Sequence, residues 1–172
     1  SGPLFLVDTL INRNLSAESL VDISVLAAEK VRCFGLQPNI ALISFSDFGS
    51  DDAESSCEAR RAVALLHERY PDLSVDGEMQ IQTALQLAQR DAKYPQNKLK
   101  GKQVNVLVFP RLSAANACYQ LLKAVGNADE VVGPIQVGLA RPIYFADHDA
   151  SVKDIVNITA MASLDSNACI VG

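Results

Sequence analysis

The chain has 172 residues, of which 49% are hydrophobic and 20% charged, a composition typical of a globular domain rather than a disordered one. Its formal net charge of -5 argues against nucleic acid as a partner, because neutralising phosphates requires clustered Lys and Arg. No run of about eighteen apolar residues occurs, so the sequence predicts no transmembrane helix and no membrane partner.

The cysteines are widely spaced along the chain. They are Cys33, Cys57, Cys118 and Cys169. None forms a CxxC motif or pairs with a histidine at metal-site spacing, so we expect reduced thiols and no metal. With no recognisable signal peptide at the start, a cytoplasmic protein is expected. Because the opening "SGPLFLVD" enters a buried strand almost at once, we expect a fragment of a longer polypeptide.

Apolar runs and helical periodicity alternate along the chain. In chain order they predict a strand (3–11), a helix (16–35), a strand (39–46), a helix (55–71), a strand (73–79), a helix (80–95), a strand (104–110), a helix (113–126), two extended pieces (130–138 and 141–146) and a closing helix (151–166). Ser16 and Ser113 are the expected N-caps of two of these helices, and the third strand is expected to run into a turn at Gly77. Apolar strands between helices indicate an α/β fold, a mainly parallel sheet with helices on both faces.

The loop after the second strand, residues 44–50 with the sequence SFSDFGS, is the first candidate site. Ligands of parallel α/β proteins bind beyond the carboxyl ends of the strands, and hydroxyls and amides at a helix start suit an anion. The candidate ligand-binding residues are Ser44, Ser46, Gly49 and Ser50. The loop lacks a GxGxxG or GxxxxGK[ST] fingerprint, and serines at a helix start also serve simply as caps. Both interpretations stay open.

Two further polar clusters allow alternative interpretations. Asp76 and Glu78 either face a cleft together or form a solvated turn. The segment 147–149, DHD, contains metal-ligand residue types, but adjacent residues of a loop rarely converge on one ion. The favoured interpretation is a polar loop before the last helix, where Ser151 and Asp154 have capping-box spacing.

Seven stretches, taken in order, resemble the phosphate acetyltransferase family of phosphotransacetylases and phosphate butyryltransferases. They are "FLVDTLIN", "SAESLVDISVLAAEKVRCFG", "ALISFSDFGS", "VDGEMQ", "GKQVNVLVFPRLSAANACYQLLKAVG", "VVGPIQVGLARPIYF" and "SVKDIVNITAMAS". The resemblance runs from Leu4 to about Ala162. The form "SFSDFGS" is most similar to the copy fused to the C-terminus of bacterial NADP-dependent malic enzymes.

The resemblance implies an isocitrate-dehydrogenase-like fold of two lobes and acyl transfer between coenzyme A and phosphate without a metal. Residues 1–172 would be a single α/β lobe, the second, with the first lobe and any malic enzyme part absent. The implied ligands are acetyl-CoA, coenzyme A or another acyl-CoA, and phosphate, and the implied assembly is a homo-oligomer. NADP and a divalent metal would belong only to the missing malic enzyme part.

The family's catalytic positions carry over to this chain incompletely. Its Ser-Arg pair before the last helix falls on Asp147 and His148, whereas Asp154 matches the Asp implied as the base for the coenzyme A thiol. Thr9 stands where active members often carry a cysteine. A carboxylate in place of a hydroxyl donor repels phosphate, so acyl-CoA binding without transfer is expected.

Three functions follow from these observations. The first is a regulatory and oligomerisation module of a malic enzyme that binds acyl-CoA. The second is an active phosphate acetyltransferase, which converts acetyl-CoA and phosphate to acetyl phosphate and coenzyme A. The third is a purely structural oligomerisation domain with a vestigial cleft. The departures at Asp147 and His148 favour the first.

Overall fold

The structure, a computed structural model, describes residues 2–126, 132–139, 143–146, 148 and 150–168, with side chains as far as residue 163. The chain divides into two compact units, residues 1–119 and 120–172. That residues 1–172 form a single lobe of a larger protein stays a prediction.

Strands and helices alternate through the first unit, as predicted. The elements are β1 (Phe5–Val7), α1 (Ala17–Cys33), β2 (Asn39–Ile43), α2 (Glu54–Arg69), β3 (Ser74–Met79), α3 (Ile81–Leu85), α4 (Leu87–Lys93), β4 (Val106–Val108), α5 (Leu112–Val125) and α6 (Val152–Ala168). Helix α5 begins in the first unit and ends in the second, and α6 lies in the second. The single helix predicted over 80–95 is two short helices that meet at Gln86.

The four strands form one parallel sheet in the order β1-β4-β2-β3. Successive strand residues point to opposite faces, so Ile40 and Leu42 join one apolar cluster while Ala41 and Ile43 join another. Residues of α1 and α2 complete the first cluster, and residues of α3 and α5 the second. The predicted α/β fold class, a parallel sheet with helices on both faces, is confirmed.

Helix α1 illustrates how the sequence produces this packing. The hydroxyl of Ser16 accepts a hydrogen bond from the amide of Ser19 at 3.2 Å, which confirms the predicted N-cap. Leu20 and Val31, which lie on one face of this helix, are at most 1% exposed. Burying a large aliphatic side chain contributes about 1.5–3 kcal/mol, so this face fixes α1 on the sheet.

Two predicted local features are wrong. Gly77 does not form a turn at the end of the third strand but lies inside β3, where Leu42 pairs with Gly77 and Ile43 with Met79. This β-bulge leaves Glu78 as the extra residue, and a glycine is readily accommodated beside a bulge. Ser113 is not the N-cap of its helix, because the amide of Ala115 already bonds to the carbonyl of residue 111 at 3.2 Å and α5 begins at residue 112.

In the second unit, the predicted extended pieces fall partly outside the described residues. The described part contains an isolated antiparallel bridge between Ile135 and Tyr144. Helix α6 presents exposed apolar side chains at Val152, Ile155 and Val156, which are 79%, 49% and 59% exposed. Across the described residues, no helix has the length and apolar character needed to cross a membrane.

Candidate functional site

The candidate loop 44–50 lies at the carboxyl end of β2, between that strand and α2. The β-bulge in the neighbouring strand β3 brings Glu78 under this loop, and the amide of Phe48 donates to the carbonyl oxygen of Glu78 at 2.8 Å. The loop and β3 are therefore connected through both the backbone and the side chain of one residue.

Glu78 is fully buried, and its carboxylate collects hydrogen bonds from the loop. Its Oε1 accepts from the hydroxyl of Ser46, the amide of Gly49 and Nη1 of Arg60, each at 2.9 Å. Its Oε2 is buried and has no hydrogen-bond partner within the described part of the chain. A buried carboxylate is costly unless it is paired, so the pairing with Arg60 is what makes Glu78 tolerable here.

Arg60 reaches this carboxylate from α2. The same guanidinium donates to the carbonyl of Asp51 at 2.8 Å and to the carboxylate of Asp52 at 2.9 Å. Burial by itself lowers the pKa of Arg60, but the charge of Glu78 and its hydrogen bond outweigh that effect, so the pKa is raised above its ordinary value. The guanidinium is therefore a permanent cation beneath the loop.

The remaining hydroxyls of the loop are also engaged within the protein. The Oγ of Ser56 lies 2.9 Å from the Oγ of Ser44 and 3.0 Å from that of Ser46. The hydroxyl of Ser50 accepts from the amide of Asp47 at 3.0 Å. The four predicted residues Ser44, Ser46, Gly49 and Ser50 are thus brought together, but the structure satisfies their polar groups internally. Their role in ligand binding stays a prediction.

The carboxylate of Asp47 has its partners outside this cluster. It is 7% exposed, its Oδ1 accepts from the amide of Gln80 at 2.9 Å, and its Oδ2 lies 3.8 Å from Nζ of Lys93. A polar cavity of about 190 Å³ lies beside it, lined by Asp47, Gln80, Gln82, Thr83, Gln89, Arg90, Lys93 and Tyr94. These amides and charges suit a hydrated polar group rather than an acyl chain.

The loop after β1 carries Thr9, the other predicted ligand-binding residue. Its carbonyl accepts from the side-chain amide of Asn116 at 3.2 Å. Strand β4 separates β1 from β2, and neighbouring strands are about 4.8 Å apart, so Thr9 and Ser44 follow strands roughly 10 Å apart. These two loops also carry exposed apolar side chains: Leu10, Ile11 and Phe45 are 48%, 58% and 61% exposed.

The residues at the family's catalytic positions lie in the second unit. Asp147 and Asp149 fall outside the described residues, and His148 lies in a turn and is exposed. Asp154 forms the predicted capping box. Its Oδ2 accepts from the amide and the hydroxyl of Ser151 at 2.9 and 2.7 Å, and its own amide donates to that hydroxyl at 3.2 Å.

These hydrogen bonds from Ser151 lower the pKa of Asp154 below its ordinary value, because they stabilise the charged carboxylate. A carboxylate of lowered pKa is a weaker base.

Among the described residues, no group of three or more His, Cys, Asp or Glu side chains is arranged to hold a metal ion.

The sequence interpretation missed Arg60 and the role of Glu78. It left Asp76 and Glu78 open between a cleft and a solvated turn, whereas both are buried. The Oδ2 of Asp76 accepts from the amide of Lys98 at 2.6 Å. A usable signal was present, since a charge between Val75 and Met79 in an apolar strand must find a partner. Periodicity does not reveal that the partner is Arg60.

Comparison with known proteins agrees with the fold. The profile of the family "Phosphate acetyl/butaryl transferase" matches residues 1–163. The chain is 42% identical to the NADP-dependent malic enzyme of Escherichia coli (strain K12) over 166 residues, which is 96% of this chain and 22% of that protein. It is 41% identical to the phosphate acetyltransferase of Treponema pallidum (strain Nichols) over 155 residues, 88% of this chain and 46% of that protein.

A solved relative shares the architecture. A phosphotransacetylase from Streptococcus pyogenes superposes with a TM-score of 0.84 at 31% identity, covering 96% of this chain and 49% of the other. The chain thus spans between about a fifth and a half of the relatives it matches. With a family profile matched over nearly its whole length, the chain belongs to the phosphate acetyl/butyryl transferase family.

Proposed function

We propose that the chain is the phosphotransacetylase-like domain of a malic enzyme, and that it binds acyl-CoA as a regulatory and oligomerisation module without transferring the acyl group. The parent protein would carry out NADP-dependent oxidative decarboxylation of malate, with NADP and a divalent metal bound outside these residues. Malic enzymes of Escherichia coli, Salmonella typhimurium and Haemophilus influenzae, 42%, 39% and 40% identical over 95–96% of the chain, support this assignment.

The observation that carries the proposal is the contrast between satisfied polar groups and exposed apolar ones at the carboxyl edge of the sheet. Ser46 and Gly49 already donate to Glu78, so they are poor donors for a phosphate dianion. Leu10 and Phe45 are about half exposed at the same edge. Apolar surface beside a few polar groups is typical of a small-molecule site, and it suits the uncharged pantetheine arm and acyl group of an acyl-CoA.

The geometry of Asp154 supports the absence of transfer. A base for the coenzyme A thiol needs a pKa near the working pH, but hydrogen bonds from Ser151 lower the pKa of this carboxylate. The capping box also commits its Oδ2 to two donors of Ser151. Asp154 therefore acts in the proposal as the cap of α6 rather than as a base.

Assembly into a homo-oligomer is the second part of the proposal. The exposed apolar residues Val152, Ile155 and Val156 have the spacing of one helix face. Apolar patches of this kind mark interaction surfaces. A cytoplasmic location remains part of the same proposal.

Titration calorimetry of the full-length protein with acetyl-CoA tests the binding site. We expect Phe45→Ala to weaken binding about tenfold, the effect of losing roughly 1.4 kcal/mol of apolar contact. Tyr70→Ala is the matched control, because Tyr70 is a 40% exposed aromatic that follows α2 and precedes β3. Equal affinities of the two variants for acetyl-CoA would contradict a binding site at the carboxyl edge of the sheet. The absence of any heat of binding for the wild-type protein would contradict acyl-CoA binding itself.

The alternative function is an active phosphate acetyltransferase. Its support is the 41% identity to the Treponema pallidum enzyme and the presence of Asp154 at the position that the family resemblance implies for the base. It predicts that acetyl-CoA is consumed only when phosphate is present. The regulatory proposal predicts instead that acetyl-CoA changes the rate of malate oxidation by the full-length protein and is not consumed.

A further inference from the structure

We infer that Glu78 is an internal anion that occupies the donor groups of the 44–50 loop and excludes free phosphate from them. Glu78 and Arg60 thereby set the ligand selectivity of the loop. This inference rests on the geometry of the loop and holds whether or not acyl-CoA binds along the same edge of the sheet.

The donors that meet at Glu78 are of three kinds. A hydroxyl from Ser46, a backbone amide from Gly49 and a guanidinium from Arg60 converge on one oxygen at 2.9 Å each. Hydroxyls, loop amides and arginine are the groups with which proteins bind phosphate oxygens. The loop therefore contains the donors of an anion site, and the protein supplies the anion.

Glu78 is held in this position by its strand. It is the extra residue of the β-bulge opposite Leu42 and Ile43, and its carbonyl accepts from the amide of Phe48. Its side chain is 0% exposed. Because backbone and side chain are both fixed to the loop, the carboxylate does not swing away to make room for a ligand.

Only one oxygen of the Glu78 carboxylate is hydrogen-bonded within the described residues. The Oε2 of Glu78 is buried without a hydrogen-bond partner among the described residues, so half of the carboxylate gains nothing from polar contacts within them. A residue needed only to accept from Ser46 and Gly49 could be neutral, but it would leave Arg60 without its buried counter-ion. The negative charge of Glu78 neutralises Arg60 and also repels other anions, since like charges in a poorly solvated site repel strongly.

Removing the carboxylate should convert the loop into a phosphate site. In Glu78→Ala the donors of Ser46, Gly49 and Arg60 surround a cavity of the size of a small anion. Titration calorimetry of the full-length variant with inorganic phosphate, at constant ionic strength, is expected to show binding at least about tenfold tighter than wild type, a difference easily resolved. Acetate, which resembles the missing carboxylate, should compete with phosphate.

Two further variants keep the test sharp. Adding Arg60→Met to Glu78→Ala should abolish the gain, because the cation is removed. Glu58→Ala is the matched control: this carboxylate also accepts a backbone amide, from Ala17, but lies outside the loop. It should leave phosphate binding unchanged.

If Glu78→Ala does not fold, Glu78→Ser serves in its place, because it also empties the space of the carboxylate and leaves a small polar side chain at the bulge. Arg60 then keeps only the exposed carboxylate of Asp52 as counter-ion, so phosphate should again bind more tightly than to wild type. The inference is overturned if the folded variant, Glu78→Ala or Glu78→Ser, binds phosphate no better than wild type. Acetyl-CoA titrations of the same variants keep this result separate from that of the proposed function.

Discussion

Gly77 is the position at which a single methyl group should do most damage to the candidate site. Its φ is +147°, and a Cβ added there would lie 2.6 Å from the carbonyl oxygen of Leu42 and 3.1 Å from its Cβ. These contacts are with the backbone and Cβ of the adjacent strand β2, so no flexible side-chain end can move aside. Gly77→Ala therefore forces β2 and β3 apart beside the bulge that places Glu78.

The cost of Gly77→Ala has two parts. Holding an alanine in a sparsely populated backbone region costs about 1–3 kcal/mol, and overpacking costs about 1–3 kcal/mol more, so we expect a loss of about 2–6 kcal/mol in the free energy of unfolding. With a urea m-value of about 2 kcal/mol/M, the midpoint falls by about 1–3 M. Urea unfolding followed by far-ultraviolet circular dichroism measures this shift.

Gly101→Ala is the matched control for this variant. Gly101 also has a positive φ, +74°, but a Cβ there meets nothing within 4 Å. Its replacement should therefore cost only the backbone term of about 1–2 kcal/mol. If the two variants lose the same stability, the contact between Gly77 and Leu42 does not constrain the sheet, and the reasoning that ties the bulge to the loop is refuted.

Three other properties follow from the same structure. Leu66 is fully buried, so Leu66→Ala should lower the free energy of unfolding, measured by urea denaturation, by about 2–5 kcal/mol. A loss below about 1 kcal/mol, close to that of a surface substitution, would contradict its place in the core. Hydrogen bonds from Ser151 lower the pKa of Asp154. The stabilisation of α6 by this carboxylate is therefore present above the ordinary pKa of 3.8 and is lost as pH falls through the lower pKa of the folded state. A carbon-13 NMR titration should place the Asp154 midpoint below 3.8, and Ser151→Ala should raise it; an unchanged midpoint would contradict the capping box. Burial raises the pKa of the Cys118 thiol, so iodoacetamide should label Cys118 more slowly than the exposed Cys33. Peptide mass spectrometry measures both labelling rates, and faster labelling of Cys118 would contradict its burial.

The parallel sheet was predictable because its signals are local and repeated. Apolar runs separated by helical periodicity specify an α/β fold wherever they occur. Ser16 was predictable as a cap because serine is a preferred residue immediately before a helix. Ser113 was not, because the helix start depends on the hydrogen bond from Ala115 to residue 111, which no residue preference records.

The candidate site was predictable in location but not in its bonding. Strand ends and serines marked the 44–50 loop, and all four predicted residues do meet there. What sequence reasoning could not supply was the register shift opposite Leu42 and Ile43, which turns Glu78 inward. A one-residue change of register reverses the face to which a side chain points, and it depends on pairing between strands that are far apart in sequence.

The most direct test of the central claim, acyl-CoA binding without transfer, is the release of free coenzyme A from acetyl-CoA by the full-length protein. The thiol is measured with and without inorganic phosphate, on a preparation that binds acetyl-CoA in the calorimeter. We predict no phosphate-dependent release, together with a change in the rate of malate oxidation when acetyl-CoA is added. Catalytic, phosphate-dependent release of thiol would contradict this account and establish the chain as part of a working transferase.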